Sequence, residues 1–253
     1  MKQVLVIVVI VCVVLFVTCK MHEEKIPEQV TQPIEKKPDD VKKEVVEKVE
    51  EIEALVLTDE ERKKLLLDIN NPKNNEKAPD LFKVEFETSK GKIVYEVHRD
   101  WSPLGADRFY NFAKNGYFNG CRFFRMAQNP QGKFVAQFGM HGDVQINTVW
   151  SQATLKDEPV KKSNIKGYLT YAKTGAPDSR SNQFFHNYGN NSFLDRMGFS
   201  PFAKIVSGMD VVEKLNFEYG EKPSQGMIKT QGNVYLKSAF PKLDYIISSK
   251  VIK

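Results

Sequence analysis

One arginine, two glutamines and a set of apolar rings, drawn from four short stretches between Cys121 and Phe202, are the groups in this chain best suited to act together. The stretches are Arg122-Phe-Phe-Arg-Met126, Phe134-Val-Ala-Gln-Phe-Gly139, Asn182-Gln-Phe-Phe185 and Phe193-Leu-Asp195. A guanidinium stays charged at any relevant pH and donates in a planar fork, while an amide both donates and accepts. None of these groups is a nucleophile. The set suits gripping a compact apolar ring, such as that of proline, while the polar groups hydrogen-bond the backbone around it. His98, His141 and His186 stand in no ligand-spaced cluster and read as loop or surface residues. Ser179 and Ser181 show no spacing to a His and Asp pair that would suggest a hydrolase. The pattern calls for no metal and no cofactor.

Strands must hold such side chains, and the sequence supplies them. Phe82, Val84 and Phe86 alternate, a Ser89-Lys90-Gly91 turn follows, and Ile93, Tyr95 and Val97 alternate again, which predicts a β-hairpin. Ser102 as a cap, Pro103 at the first helical position, Phe109, Phe112 and Ala113 at helical spacing and an Asn115-Gly116 stop predict one amphipathic helix. Short apolar strands follow. Met209 to Phe217 reads as a second helix, and Val234 to Ile247 as a return to strand. Many short strands with two helices suggest a closed or nearly closed antiparallel barrel. Alternation says only that Phe184 and Phe185 face opposite ways, while Phe124, Phe138 and Phe184, as apolar strand residues, are expected in the core.

Several segments in one order carry a family resemblance: Phe86-Glu-Thr-Ser-Lys-Gly91, Ala106-Asp-Arg-Phe-Tyr-Asn-Phe112, Asp157-Glu-Pro159, Gly167-Tyr-Leu-Thr-Tyr-Ala172, Ser181-Asn-Gln-Phe-Phe185 and Phe202-Ala-Lys-Ile-Val-Ser-Gly-Met-Asp-Val-Val212. From about Phe82 to about Ile246 the chain resembles the cyclophilin-type peptidyl-prolyl cis-trans isomerases, and specifically an exported bacterial branch. The resemblance implies a mainly β fold, a closed eight-stranded antiparallel barrel capped by two α-helices. It implies Arg125 and Gln137 as catalytic residues. It also implies a substrate groove of Phe134, Val135, Ala172, Lys173, Gln183, Phe185, Phe193, Leu194 and Phe199, with Lys173 contributing its main chain. Phe193 stands where the family often has tryptophan, Phe199 where it often has histidine, and the connection from Arg125 to Phe134 is longer than usual.

The implied reaction is rotation about the bond before proline, with no covalent intermediate. Amide resonance sets a barrier of roughly 18–20 kcal/mol, and an acceleration of about 10⁵ needs only some 7 kcal/mol of preferential transition-state binding. The alternative on the same barrel is a catalytically weak module that binds proline-containing peptide as a chaperone or assembly factor. A barrel enclosing a small apolar ligand, as in lipocalins, is the rival from outside the family.

Composition bounds the surroundings. A chain of 253 residues, 41% hydrophobic, supports one sizeable core with extensions. A net charge of +5 with lysines interleaved among acids gives no basic block for nucleic acid. Residues 1–19 read as a signal peptide, lipoprotein signal or membrane anchor: Lys2 precedes an apolar run from Val4 to Val17, and Cys19 after Leu15-Phe-Val-Thr18 is the lipidation candidate. Residues 20–79 read as a charged, partly helical linker. In it, Val41, Val45, Val49, Ile52 and Leu55 recur at helical spacing, too briefly for a coiled coil, and Thr58 with Glu61 forms a capping-box signature before Leu65 to Leu67. Residues 80–253 form the isomerase domain, expected to be monomeric, with Cys121 alone in it and so without an internal disulfide. The expected partners are proline-containing unfolded or partly folded polypeptides and, through the N-terminus, a membrane, which places the protein outside the cytoplasm.

Overall fold

The structure is a computed structural model that describes residues 57–252. The signal segment, Cys19 and the helical repeat at Val41 to Leu55 lie outside the described residues. Eight strands form one antiparallel sheet in the order β3-β4-β6-β5-β7-β2-β1-β8, curled as a half-barrel. They are β1 (Leu81–Thr88), β2 (Gly91–His98), β3 (Arg125–Asn129), β4 (Gly132–Phe138), β5 (Tyr168–Tyr171), β6 (Phe184–Asn187), β7 (Pro201–Ser207) and β8 (Ile246–Ile252). The first hairpin forms in the expected register, with Phe82 opposite Val97, Val84 opposite Tyr95 and Phe86 opposite Ile93. All six face the core.

The end strands β3 and β8 share no ladder. The backbone just before each one meets instead: Arg122 bridges Tyr245, Phe123 N donates to Asp244 O at 3.0 Å, and Ile246 N donates to Cys121 O at 2.9 Å. Inside the sheet, Phe86, Phe109, Phe118, Phe138, Phe184 and Phe202 are fully buried and interlock, with Phe86 and Phe118 centroids 4.9 Å apart. A small antiparallel barrel filled by rings in this way has no room for an enclosed ligand, which removes the lipocalin-type reading.

Helices are more numerous than the sequence suggests. They are α1 (Asp59–Leu67), α2 (Pro103–Lys114), α3 (Val144–Gln152), α4 (Met209–Glu213) and α5 (Gln225–Ala239). The expected helix at Pro103 forms with its stop at Asn115, but the Ser102 side chain leaves its own helix uncapped and donates to Glu158 instead. The expected strand from Val234 is corrected: residues 225–239 are helical, and the strand starts only at Ile246. Val234-Tyr235-Leu236 has strand-like composition, but Ser224 caps a helix at Met227 N, and Ile228 and Leu236 bury themselves against Phe124, Met140 and Leu243. Gly232 kinks α5 at φ 55° because the chain passes Gly142 there: a Cβ would lie 2.1 Å from the Gly142 carbonyl oxygen.

Residues 57–79, given to the linker by composition, pack on the domain, and the compact unit begins at Leu57. The Thr58 and Glu61 capping box is formed. Leu66 is buried, and Trp150 Nε1 donates to its carbonyl at 2.8 Å. One histidine also departs from expectation. His186 lies in β6 with no exposure, its Nε2 2.8 Å from Tyr95 Oη, and burial depresses its pKa to about 3. His141 accepts from Asp143 N at 2.9 Å, and burial depresses its pKa to about 4. His186 is an interior fixture of the fold, while His141 lies partly exposed in the loop before α3, as expected. Burial likewise pushes the Cys121 thiol well above its ordinary value. Among the described residues no helix is long and apolar enough to cross a membrane, and no group of three acidic, cysteine or histidine side chains is placed to hold a metal.

Candidate active site

Register alone brings three of the expected residues into one row. Arg125 of β3 pairs with Gln137 of β4, and Gln137 pairs with Phe185 of β6. Alternation sends Ala136, Phe138 and Phe184 inward and leaves Val135, Gln137 and Phe185 on the outer face. The row therefore lies on the outside of the sheet, over a packed interior. The longer connection after Arg125 continues the ladder to Asn129 opposite Gly132, so the extra residues extend the hairpin and leave Arg125 in step with Gln137.

Hydrogen bonds tie the polar groups into a chain. Arg125 Nη1 donates to Gln137 Oε1 at 3.1 Å, and Gln137 Nε2 donates to Gln183 Oε1 at 2.7 Å. Both ends of the Gln137 amide are used, which fixes its orientation, and only 6% of the residue is exposed. Gln183 is fastened in turn by its carbonyl, which accepts from Ala172 N at 2.9 Å. The other side of the guanidinium meets Glu221, with Arg125 Nε donating to Oε1 at 2.5 Å.

Beside this chain lies an apolar slot. Val135, Phe185 and Leu194 form a buried cluster with Ala127, and Phe134, Ala172 and Phe199 pack against it while partly exposed. Phe199 stands edge-on to Phe185 with centroids 5.9 Å apart. Leu194 comes from a 3-10 turn, Ser192–Met197, that Asp195 ties down by accepting from Asn164 N and from Ser163 Oγ. Slot and polar chain open into a single groove of about 410 Å³.

Ten of the eleven residues expected at the site line that groove: Arg125, Phe134, Val135, Gln137, Ala172, Lys173, Gln183, Phe185, Leu194 and Phe199. Phe193 is the exception. It is 55% exposed and stacks on Phe134 at 5.9 Å, beside a separate cleft. The 3-10 turn explains this, since Leu194 points into the groove and its neighbour must point away. The Lys173 side chain is drawn aside to Asp157 at 2.8 Å, which leaves its backbone at the groove. Burial raises the Asp157 pKa, but Lys173 and Asp178 N outweigh it and hold the carboxyl below its ordinary value.

The sequence gives no warning of Ser151 from α3, or of Gln225 and Lys229 from α5, which also line the groove. Glu221 was missed as well, because it meets Arg125 across 96 residues of chain. Ser179 and Ser181 reach the groove with no histidine beside them there. The arrangement can seat an apolar ring and offer a guanidinium and two amides to a peptide backbone. It holds no nucleophile poised by a base.

The family model described as cyclophilin type peptidyl-prolyl cis-trans isomerase/CLD matches residues 83–237. A peptidyl-prolyl cis-trans isomerase of Acinetobacter baylyi is 34% identical over 137 residues, covering 52% of this chain and 70% of its own. Peptidyl-prolyl cis-trans isomerase B of Escherichia coli is 32% identical over 145 residues, covering 52% of this chain and 82% of its own. A crystal structure of a Cryptosporidium parvum cyclophilin type peptidyl-prolyl cis-trans isomerase covers 68% of this chain and 98% of its own, at 18% identity and a TM-score of 0.49.

Proposed function

The chain belongs to the cyclophilin-type peptidyl-prolyl cis-trans isomerase family, and from that premise we propose that the groove between Arg125 and Leu194 is where it turns X-Pro bonds. The proline ring sits in the slot of Phe134, Val135, Phe185, Leu194 and Phe199. Residues before the proline run along Ala172 and the main chain of Lys173. As the C–N bond twists it becomes a single bond, the prolyl nitrogen loses conjugation and gains a localised lone pair, and the carbonyl becomes ketone-like. Arg125 donates to this developing lone pair, and Gln137 and Gln183 hold the backbone so that the guanidinium meets it. A preorganised cation on a partly apolar surface favours the twisted state over either planar one. The observation that carries this reading is the hydrogen-bonded row Arg125, Gln137, Gln183 alongside the apolar slot.

The test is exchange NMR on a short X-Pro peptide with the protein and its Arg125→Ala variant. Fast exchange that drops about 100-fold in the variant supports the reading. Binding without accelerated exchange in the unaltered protein would instead favour the peptide-holding module.

The backbone contacts between Gly120–Phe123 and Asp244–Ile246 support reading the curled sheet as a closed barrel. The apolar run after Lys2 and the position of Cys19 support a protein exported and tethered to a membrane on its extracytoplasmic side, assisting the folding of proteins there as a monomeric domain. Globomycin-sensitive labelling of the protein with a palmitate analogue, lost in a Cys19→Ala variant, tests the lipidation.

A further inference from the structure

Arg125 is the proposed rate-determining group, yet the strand that carries it holds only its backbone. Its side chain is 35% exposed, at the edge of the sheet. A long side chain in that position would sample many rotamers, and the single 3.1 Å contact to Gln137 is a modest restraint. The loop between α4 and α5 supplies a second one. Met126 N, next to Arg125, donates to Gly220 O at 2.9 Å, so the loop runs along the free edge of β3 and sets Glu221 beside Arg125. Gly220 makes the turn at φ 55° and is closed by its own N–H to Phe217 O at 3.0 Å. Tyr219 packs edge-on against Phe240 at 5.1 Å, and Lys242 reaches Glu218 at 3.1 Å, so the loop is fastened to the end of α5.

We propose that Glu221 is a positioning residue for Arg125, holding the guanidinium in the groove so that its remaining N–H groups face the substrate. This rests on the reading of Arg125 given above. Arg125 Nε donates to Glu221 Oε1 at 2.5 Å, and Nη2 lies 2.5 Å from the same oxygen. Nη1 donates to Gln137 Oε1. All three nitrogens are thus engaged from two sides, and a planar fork fixed at two sides cannot rotate. One N–H on each of Nη1 and Nη2 is left over for a substrate, and Arg125 lines the groove.

A single carboxylate oxygen makes both contacts, so the effect lies in the acceptor. Glu221→Gln retains an acceptor oxygen at the same reach and removes the negative charge. Glu221→Ala removes the acceptor. A misplacement of about 1 Å can cost about 100-fold in rate, so partial loosening of Arg125 is expected to cost about tenfold.

The experiment is a cycle of Glu221→Ala, Glu221→Gln, Arg125→Ala and Arg125→Ala/Glu221→Ala in the full chain. Exchange NMR on an X-Pro peptide gives kcat and KM separately, and the Arg125 Nε–H signal is followed in the same spectra. The proposal expects Glu221→Ala to lower kcat about tenfold with KM within about twofold. It expects Glu221→Gln to recover to within about threefold, and Glu221→Ala to add nothing once Arg125 is gone. The Nε–H signal should be slow to exchange with water in the unaltered protein and in Glu221→Gln, and broadened in Glu221→Ala. If Arg125→Ala is slow and Glu221→Ala is as fast as the unaltered protein, this proposal fails and the Arg125 reading stands. If Arg125→Ala keeps its full rate, the Arg125 reading fails first. An equal loss from Glu221→Ala in both backgrounds would show that the loop only supports the fold, and equal losses in Glu221→Gln and Glu221→Ala would assign the effect to charge; either overturns positioning.

Discussion

Gln137 stands directly between Arg125 and Phe185 across three strands, and its amide oxygen accepts from Arg125 Nη1 at 3.1 Å while its nitrogen donates to Gln183 at 2.7 Å. Replacing it with leucine keeps the size and removes both contacts. Arg125 would keep only the Glu221 contact, and Gln183 would lose its orientation. The expected outcome is a fall in kcat/KM of about 100-fold, with thermal unfolding little changed. Exchange NMR beside a melting curve checks it, and a large loss of stability would assign Gln137 to the fold instead.

The slot should control affinity more than rate. Phe185 forms its floor, 5% exposed, with Phe199 edge-on above it. Phe185→Leu keeps an apolar floor but removes the ring face on which a proline would lie. Weaker peptide binding by about tenfold, equivalent to about 1.4 kcal/mol, is expected, with the rate on the bound peptide changing less. Peptide titration followed by chemical shift separates the two quantities. Unchanged affinity would mean that the ring sits elsewhere in the groove.

Two histidines, one fully and one partly enclosed, make stability depend on pH. Burial holds His141 at about 4 and His186 at about 3 in the folded protein, against about 6.5 in an unfolded chain. Between roughly pH 4 and 6.5 the unfolded state therefore binds protons that the folded state refuses, so stability is full above that window and falls as pH falls through it. Each histidine contributes a slope of about 1.4 kcal/mol per pH unit in that range. Denaturant unfolding at pH 5.0, 5.5, 6.0 and 6.5 measures the slope. His141→Asn keeps an acceptor for Asp143 N and removes one titrating ring, and should roughly halve it. An undiminished slope in that variant would clear His141 of the effect.

What was legible in the sequence follows the range of the forces involved. The hairpin of β1 and β2, the helix from Pro103 and the opposed faces of Phe184 and Phe185 rest on alternation and turn chemistry, which act over a few residues. Given the resemblance, ten groove residues are named, of which strand register itself aligns Arg125, Gln137 and Phe185. The misses are all tertiary. Glu221 meets Arg125 only because the loop before α5 lies along β3, and no local pattern encodes that. Val234 and Tyr235 have strand-like side chains, yet the Ser224 cap and the closing of Ile228 and Leu236 on Phe124 and Met140 decide for helix. His186 reads as an ordinary polar residue until Tyr95 from a strand far along the chain supplies its partner. Residues 57–79 have the composition of a linker because their few apolar groups, Leu65 and Leu66, suffice only when a surface is waiting for them.

That waiting surface gives the last prediction. Leu66 is 1% exposed beneath α1, and its carbonyl accepts from Trp150 Nε1 at 2.8 Å, while Trp150 itself is 1% exposed in the main core. The chain that follows is stitched down by two side-chain amides and a carboxylate of the domain: Asn115 Nδ2 donates to Lys73 O at 2.6 Å, Asn111 Nδ2 donates to Glu76 O at 2.8 Å, and Asp107 Oδ1 accepts from Ala78 N at 2.9 Å. A protein beginning at Pro79 would expose Trp150 and the face of Phe112 that meets it edge-on at 4.8 Å, and would leave several amide groups without partners. It should unfold at a lower temperature than one beginning at Leu57. Leu66→Ala in the longer form should reproduce part of the loss, about 2–5 kcal/mol as for other buried leucines. Ser151, next to Trp150 in α3, is the point where this contact approaches the groove, while Arg125, Gln137 and Phe185 stand on strands, so isomerisation below the unfolding transition should change little between the two lengths. Equal melting temperatures would show that α1 merely rests on the domain, and the linker would then extend to Pro79 as composition alone suggests.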